Sequence, residues 1–155
     1  MTECAMDLYQ RALDQVSKAV LAGDFAAYVA MLDLPYLVHT LQADLVSHSP
    51  AEIEPTFRNM HAGLVEMGAT HYERVAREAH FALPDRIEGR HFTHVIANGE
   101  RLVAPWEAQT ALVRRPGGWR FCEASYPFRT DQLPLTAEVM ATAGLPVMAG
   151  SRAAR

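Results

Sequence analysis

"RRPGGWRFCEASYPF", residues Arg114–Phe128, decides the fold. Its Pro116-Gly117-Gly118 is a turn signal set between two apolar, alternating runs, and strands joined by so short a connection must be antiparallel. A two- or four-residue loop puts Trp106, Ala108, Thr110, Leu112, Trp119 and Phe121 on one face, and Glu107, Gln109, Ala111, Cys122, Ala124 and Tyr126 on the other. An odd loop length mixes these sets. Both faces are largely apolar, so both call for cover: one by helices and a pocket, the other by a second subunit.

Toward the N-terminus, Asn98-Gly99 and Pro84-Asp85 are further turn signals, and together the turns predict strands over His71–Leu83, Arg86–Ala97, Leu102–Arg115 and Trp119–Tyr126. The first contains "YERVAREAHFA", whose composition also suits a helix. Ahead of it, "SPAE" (Ser49–Glu52) starts a helix: Ser49 as N-cap, Pro50 at the first helical position and Glu52 completing a capping box. Ile53, Phe57, Met60, Leu64 and Met67 form its apolar stripe, Gly68 closes it, and Pro55 falls in its first turn or just beyond. Tyr36–Ser47, "YLVHTLQADLVS", reads as a short hairpin or one irregular strand. At the start, Met6, Tyr9, Leu13, Val16 and Val20 define an amphipathic helix that stops at Gly23. Asp24 then caps a short second helix with Phe25, Tyr28, Val29 and Leu32 on one face before Pro35 interrupts.

The chain has 155 residues, 50% of them hydrophobic, which is one domain's worth of core. That domain is expected over residues 1–130, with 131–155 as a tail, partly helical or disordered, around Pro134, Pro146 and "AEVMATAG". Its 14 basic and 18 acidic residues are interspersed, so neither nucleic acid nor an anionic membrane is expected as a partner. Cys4 and Cys122 form no metal or redox spacing and fit a reducing, cytoplasmic compartment. No apolar run is long enough to span a bilayer, and "MTECAMDLYQ" lacks the order of a secretory signal.

Helices followed by a meander of long strands make an α+β architecture, with a curved antiparallel sheet of about five to six strands wrapped around three N-terminal helices. The order resembles the nuclear transport factor 2-like (SnoaL-like) superfamily with its cystatin-like fold. The resemblance is carried by "LAGDFAAYVAML" at the turn between the first helices, "SPAEIEPTF" at the next helix start and "ALVRRPGGWRF" at the penultimate hairpin. It covers about Met6 to Phe128. It implies a cone-shaped sheet with a pocket at its open end and a homodimer through the outer sheet face. The superfamily includes isomerases, dehydratases, polyketide cyclases and transport factors, so the resemblance specifies a fold better than an activity.

The chemistry-bearing residues are few. His91 and His94, three apart in a strand, point to opposite faces and cannot share one ion without a bulge. There is no HExxH, no CxxC and no phosphate-binding glycine loop, so neither metal nor cofactor is expected. By resemblance, His39 falls where ketosteroid isomerase-like members carry the carboxylate that moves a proton, which makes it the candidate general base. Sharing a face with Leu37 and Leu41, it is expected to face the pocket with a lowered pKa unless a carboxylate lies beside it. The isomerase oxyanion pair is not reproduced: Val16 stands at the tyrosine position, and Ala108 or Gln109 at that of the buried acid.

Candidate pocket-lining residues are Tyr28, Phe57, His94, Trp106 and Tyr126. Trp119 reads as core, and Glu107 either pairs with Arg90 or His94 inside the pocket or, as favoured, sits at a dimer rim. The expected function is binding of a small, largely apolar molecule in the cone. The alternative is a cofactor-independent isomerase, dehydratase or cyclase using His39. An enzyme of that kind needs a titrating group inside the cavity, whereas a binder needs shape and a few hydrogen bonds.

Overall fold

The computed structural model describes residues 3–129, and the expected tail beyond residue 130 lies outside the described residues. Helix α1 (Ala5–Ala22) buries Tyr9, Leu13, Val16 and Val20, the stripe spaced at three and four. It ends at Gly23 in the left-handed conformation, φ 72°, where a Cβ would also lie 2.7 Å from the His61 ring. Asp24 caps α2 (Phe25–Ala30) by accepting from the Ala27 N–H. This helix is shorter than the sequence predicts. Leu32 already belongs to strand β1 (Leu32–His39), where it pairs with Phe121, and the Met31 carbonyl accepts from the Phe121 N–H.

The hairpin alternative holds for Tyr36–Ser47, since β1 pairs antiparallel with β2 (Asp44–Ser47). Helix α3 (Pro50–Met67) starts where "SPAE" places it, but the capping box is displaced. Ser49 makes no side-chain cap bond, and the Glu52 carboxylate accepts from the His48 N–H instead.

Strands β3 (His71–Leu83), β4 (Arg86–Ala97), β5 (Glu100–Arg101), β6 (Trp106–Arg115) and β7 (Gly118–Ser125) are the remaining elements among the described residues. "YERVAREAHFA" is thus strand. The strand expected over Leu102–Arg115 begins only at Trp106, after Pro105, which has no N–H to give a ladder. The sheet has seven strands in the order β2-β1-β7-β6-β4-β3, with β5 on β4. Every pair is antiparallel except β1 with β7, so the sheet is mixed and mostly antiparallel.

Along β4, Ile87, Gly89, His91, Thr93, Val95 and Ala97 are buried toward the helices while Arg86, Glu88, Arg90, Phe92, His94 and Ile96 are half-buried on the outer face. This period of two fixes which side chains can line the interior. Two clusters fill the space between helices and sheet: one around Tyr9, Leu13, Tyr36 and Leu112, the other around Val20, Phe57, Tyr72, Trp106 and Phe128.

Two expectations about faces change. The loop between β6 and β7 is two residues, Arg115 pairing with Gly118, but the register shifts at Ala111/Leu112 so that Cys122 is an unpaired bulge. Beyond it Ala124 stands opposite Thr110 on the inner face, and Glu123 stands opposite Ala111 on the outer one. The outer face is also more polar than expected. Arg86 bonds Glu88 and Glu123, and Arg90 bonds Glu78 and Glu107, so a ladder of ion pairs shares this face with half-buried Phe92 and Ile96.

Candidate functional site in the cone interior

Between α1, α2 and the inner sheet face lies a small space of about 20 Å³, room for roughly one water molecule. Tyr28, Tyr36, Phe121 and Tyr126 supply its aromatic wall, Leu13, Val16 and Leu32 its aliphatic part, and Arg74, His91 and Thr110 its polar part. Each polar residue arrives by strand alternation: Arg74 two residues from buried Tyr72 on β3, His91 on the buried face of β4, and Thr110 beside Gly89 on β6.

The polar groups are held in place. Tyr9 Oη lies 2.8 Å from His91 Nδ1 and 2.7 Å from Thr110 Oγ1, so the phenol donates to one and accepts from the other. Gly89 makes this approach possible, since a Cβ there would sit 2.7 Å from the Tyr9 ring. Arg74 Nη2 donates to Tyr72 Oη at 2.8 Å, and its guanidinium carbon lies 4.9 Å from the Tyr72 ring centroid. The backbone on either side of Val75, just after Arg74, is clamped by one side chain of α1. Gln10 Nε2 donates to the Arg74 carbonyl and Gln10 Oε1 accepts from the Ala76 N–H, both at 2.8 Å.

The electrostatics follow from burial around one cation. Desolvation, reinforced by Arg74, lowers the His91 pKa to about 3, so its imidazole is neutral. Burial raises the phenols of Tyr9, Tyr28, Tyr36 and Tyr72, which stay protonated. No lining residue of this space is a carboxylate.

His39 lies elsewhere. Leu32 and Tyr36, not Leu37, are the buried residues of β1, so the row Leu37–His39 faces outward with Glu123. Its Nδ1 is 2.6 Å from Asp44 Oδ1 and its Nε2 2.5 Å from Glu123 Oε2. Both nitrogens face carboxylates, so both act as donors, and the bonds to Glu123 and then Asp44 raise the pKa instead of lowering it. With both ring nitrogens taken up by carboxylates, neither is open to a substrate proton.

Of the other expected lining residues, Tyr28 and Tyr126 meet at the space. Phe57 packs behind Tyr28, with ring centroids 4.8 Å apart, and Trp106 packs edge-on against Phe128 in the second cluster. His94 is on the outer face, opposite to the inward His91. Glu107 lies on that outer face and pairs there with Arg90 at 3.0 Å, a partner expected of it only inside the pocket. Trp119 is half-buried at the end of the cone beside Phe81. A larger hollow of about 410 Å³ opens on the outer face, lined by Arg86, Glu88, Arg90, Gln109 and Glu123 among others, whose charged groups already satisfy one another. Among the described residues no cluster of His, Cys, Asp or Glu could hold a metal ion. No helix among them is long and apolar enough to cross a membrane.

Three helices with a curved, mostly antiparallel sheet around an interior site define the nuclear transport factor 2-like, cystatin-like fold, and this chain has it. Solved structures agree. A domain of unknown function with a cystatin-like fold from Nostoc punctiforme superposes with a TM-score of 0.62 at 14% identity, covering 99% of this chain and 94% of that one. An NTF2-like protein with a cystatin-like fold from Novosphingobium aromaticivorans gives 0.58 at 16% identity, over 90% and 88%. An NTF2-like protein of unknown function from Shewanella oneidensis gives 0.56 at 8% identity, over 77% and 95%. No family model and no curated protein matches the sequence.

Proposed function

We propose that this protein binds a small, largely apolar molecule inside the cone and performs no acid–base chemistry there. The observation that carries the reading is the make-up of the interior: aromatic and aliphatic walls converge on one space with a few fixed polar groups, which is how ligand sites are built. A proton-transfer enzyme needs a group poised near the operating pH. Here the interior phenols are pushed up and His91 down to about 3, and His39, raised by Glu123 and Asp44, is outside and already shared between those two carboxylates.

The resting space is small, so a ligand displaces its content and turns part of the wall. Tyr126 is the side chain suited to that, because it lies beyond the end of β7 and is half-buried, stacked on Phe128. The test is a screen of small cyclic and aromatic fragments by NMR with labelled tyrosine rings. Binders are expected to shift Tyr28, Tyr36 and Tyr126 together. Shifts confined to Glu88, Gln109 and Ser125 would move the site to the outer hollow and end the interior reading.

A further inference from the structure

Among the described residues, Arg74 is the one cation that the fold takes out of water without an anion beside it. It is 8% exposed, and its guanidinium, with five N–H donors, has Tyr72 Oη as its hydrogen-bond partner among the described residues. The other arginines with side-chain ion pairs sit at the surface or half-buried: Arg11 with Glu3, Arg58 with Glu54, Arg86 with Glu88 and Glu123, Arg90 with Glu78 and Glu107, and Arg115 with Asp33. Burying a charge unpaired is among the costliest things a fold can do, and arginine cannot escape the cost by losing its proton. The Tyr72 hydroxyl and ring ease that cost, but the surroundings supply no counter-charge, since the neighbouring phenols and His91 are neutral. Yet the Gln10 clamp holds Arg74 in place against this space instead of letting it swing to solvent.

We propose that the ligand of the cone interior carries an anionic group, a carboxylate or an equivalent oxyanion, and that Arg74 receives it while Tyr28, Tyr36 and Tyr126 hold the apolar remainder. This rests on the interior-binding reading and narrows it to a ligand class. The guanidinium fork matches two carboxylate oxygens, and Thr110 borders the same space as a further polar contact. A fixed, buried cation favours an anion over its neutral isostere far more than the same contact would at the surface.

The experiment compares acetate and benzoate with acetamide and benzamide, read on the labelled tyrosine rings of the full chain, in wild type, Arg74→Met and Arg74→Lys. Wild type is expected to bind benzoate about tenfold or more tighter than benzamide, the value of a charge-assisted bond in a dry site. Arg74→Met should lose that preference while its melting temperature without ligand stays level or rises, because a purely structural arginine would be missed by the fold. Arg74→Lys, which keeps the charge but not the fork, should retain part of the preference. Equal binding of benzoate and benzamide by wild type, or a preference that survives in Arg74→Met, overturns the assignment. Amides that enter the interior where carboxylates do not would sink the anion and leave the binding reading standing. If neither class shifts the interior tyrosines, both fall.

Discussion

Gly89 sets the geometry of the interior through the side chain it lacks, because a Cβ would lie 2.7 Å from the Tyr9 ring and 2.8 Å from the Glu78 carbonyl oxygen. Gly89→Ala must push Tyr9 off Thr110 and His91 or displace β3, an overpacking cost of about 1–3 kcal/mol measurable by urea denaturation. Ser49→Ala gives the opposite result. The side chain makes no cap bond, so the change should stay within about 0.5 kcal/mol, where a working N-cap would cost about 1. A loss near 1 kcal/mol would mean that Ser49 does cap α3 in solution. His39 was legible as a strand residue on the Leu37 face, but which face turns inward depends on Tyr36 and on Ala124 across the ladder. Its two carboxylates, Asp44 and Glu123, are five and eighty-four residues away.

At the scale of elements, the long edge strand β3 would leave its outward backbone groups open beside Arg74, and α1 closes two of them through Gln10. Gln10→Ala should cost about 1–2 kcal/mol for the two lost bonds and should speed hydrogen exchange at the Ala76 amide. An unchanged Ala76 protection factor would show that the helix does not clamp the strand. The order of helices, the start of α3 and the three tight turns were readable because each depends on local chemistry: Gly23 and Gly68 at positive φ, Asn98-Gly99 likewise, and Pro50 in the first helical turn. The interior site was not. "YERVAREAHFA" looks like a solvated segment until Tyr72 is known to face inward, after which alternation carries Arg74 in with it. The Cys122 bulge, which decides whether Ala124 faces in or out, follows from pairing with β6 and leaves no mark in the order of residues.

Across the whole molecule the sheet separates two electrostatic regimes, and this gives the stability a predicted shape against pH. Inside, His91 has a pKa of about 3 against about 6.5 in the unfolded chain, so below pH 6.5 the unfolded state takes a proton that the folded state refuses. Its contribution is full above about pH 6.5 and declines by up to about 1.4 kcal/mol per pH unit as pH falls toward 3. His94, lowered by burial and then by Arg101, acts in the same direction. Outside, His39 is raised by Glu123 and Asp44, so its contribution is full below about pH 6.5 and is lost as pH rises through the folded value. The two slopes oppose each other, and stability should therefore peak between them, a little above pH 6.5. Urea denaturation from about pH 5 to 8.5, a window above the ordinary carboxylate range, separates the two arms. His91→Gln, which can still bond the Tyr9 hydroxyl, should flatten the acid arm, and His39→Gln should flatten the alkaline one, whatever each does to the absolute stability. His94 leaves a weaker acid arm in His91→Gln, whereas an acid arm of undiminished slope would mean that His91 takes up its proton in the folded protein. The interior would then accept a second cation beside Arg74, and the account of that space as a lone positive charge awaiting an anion would lose its footing.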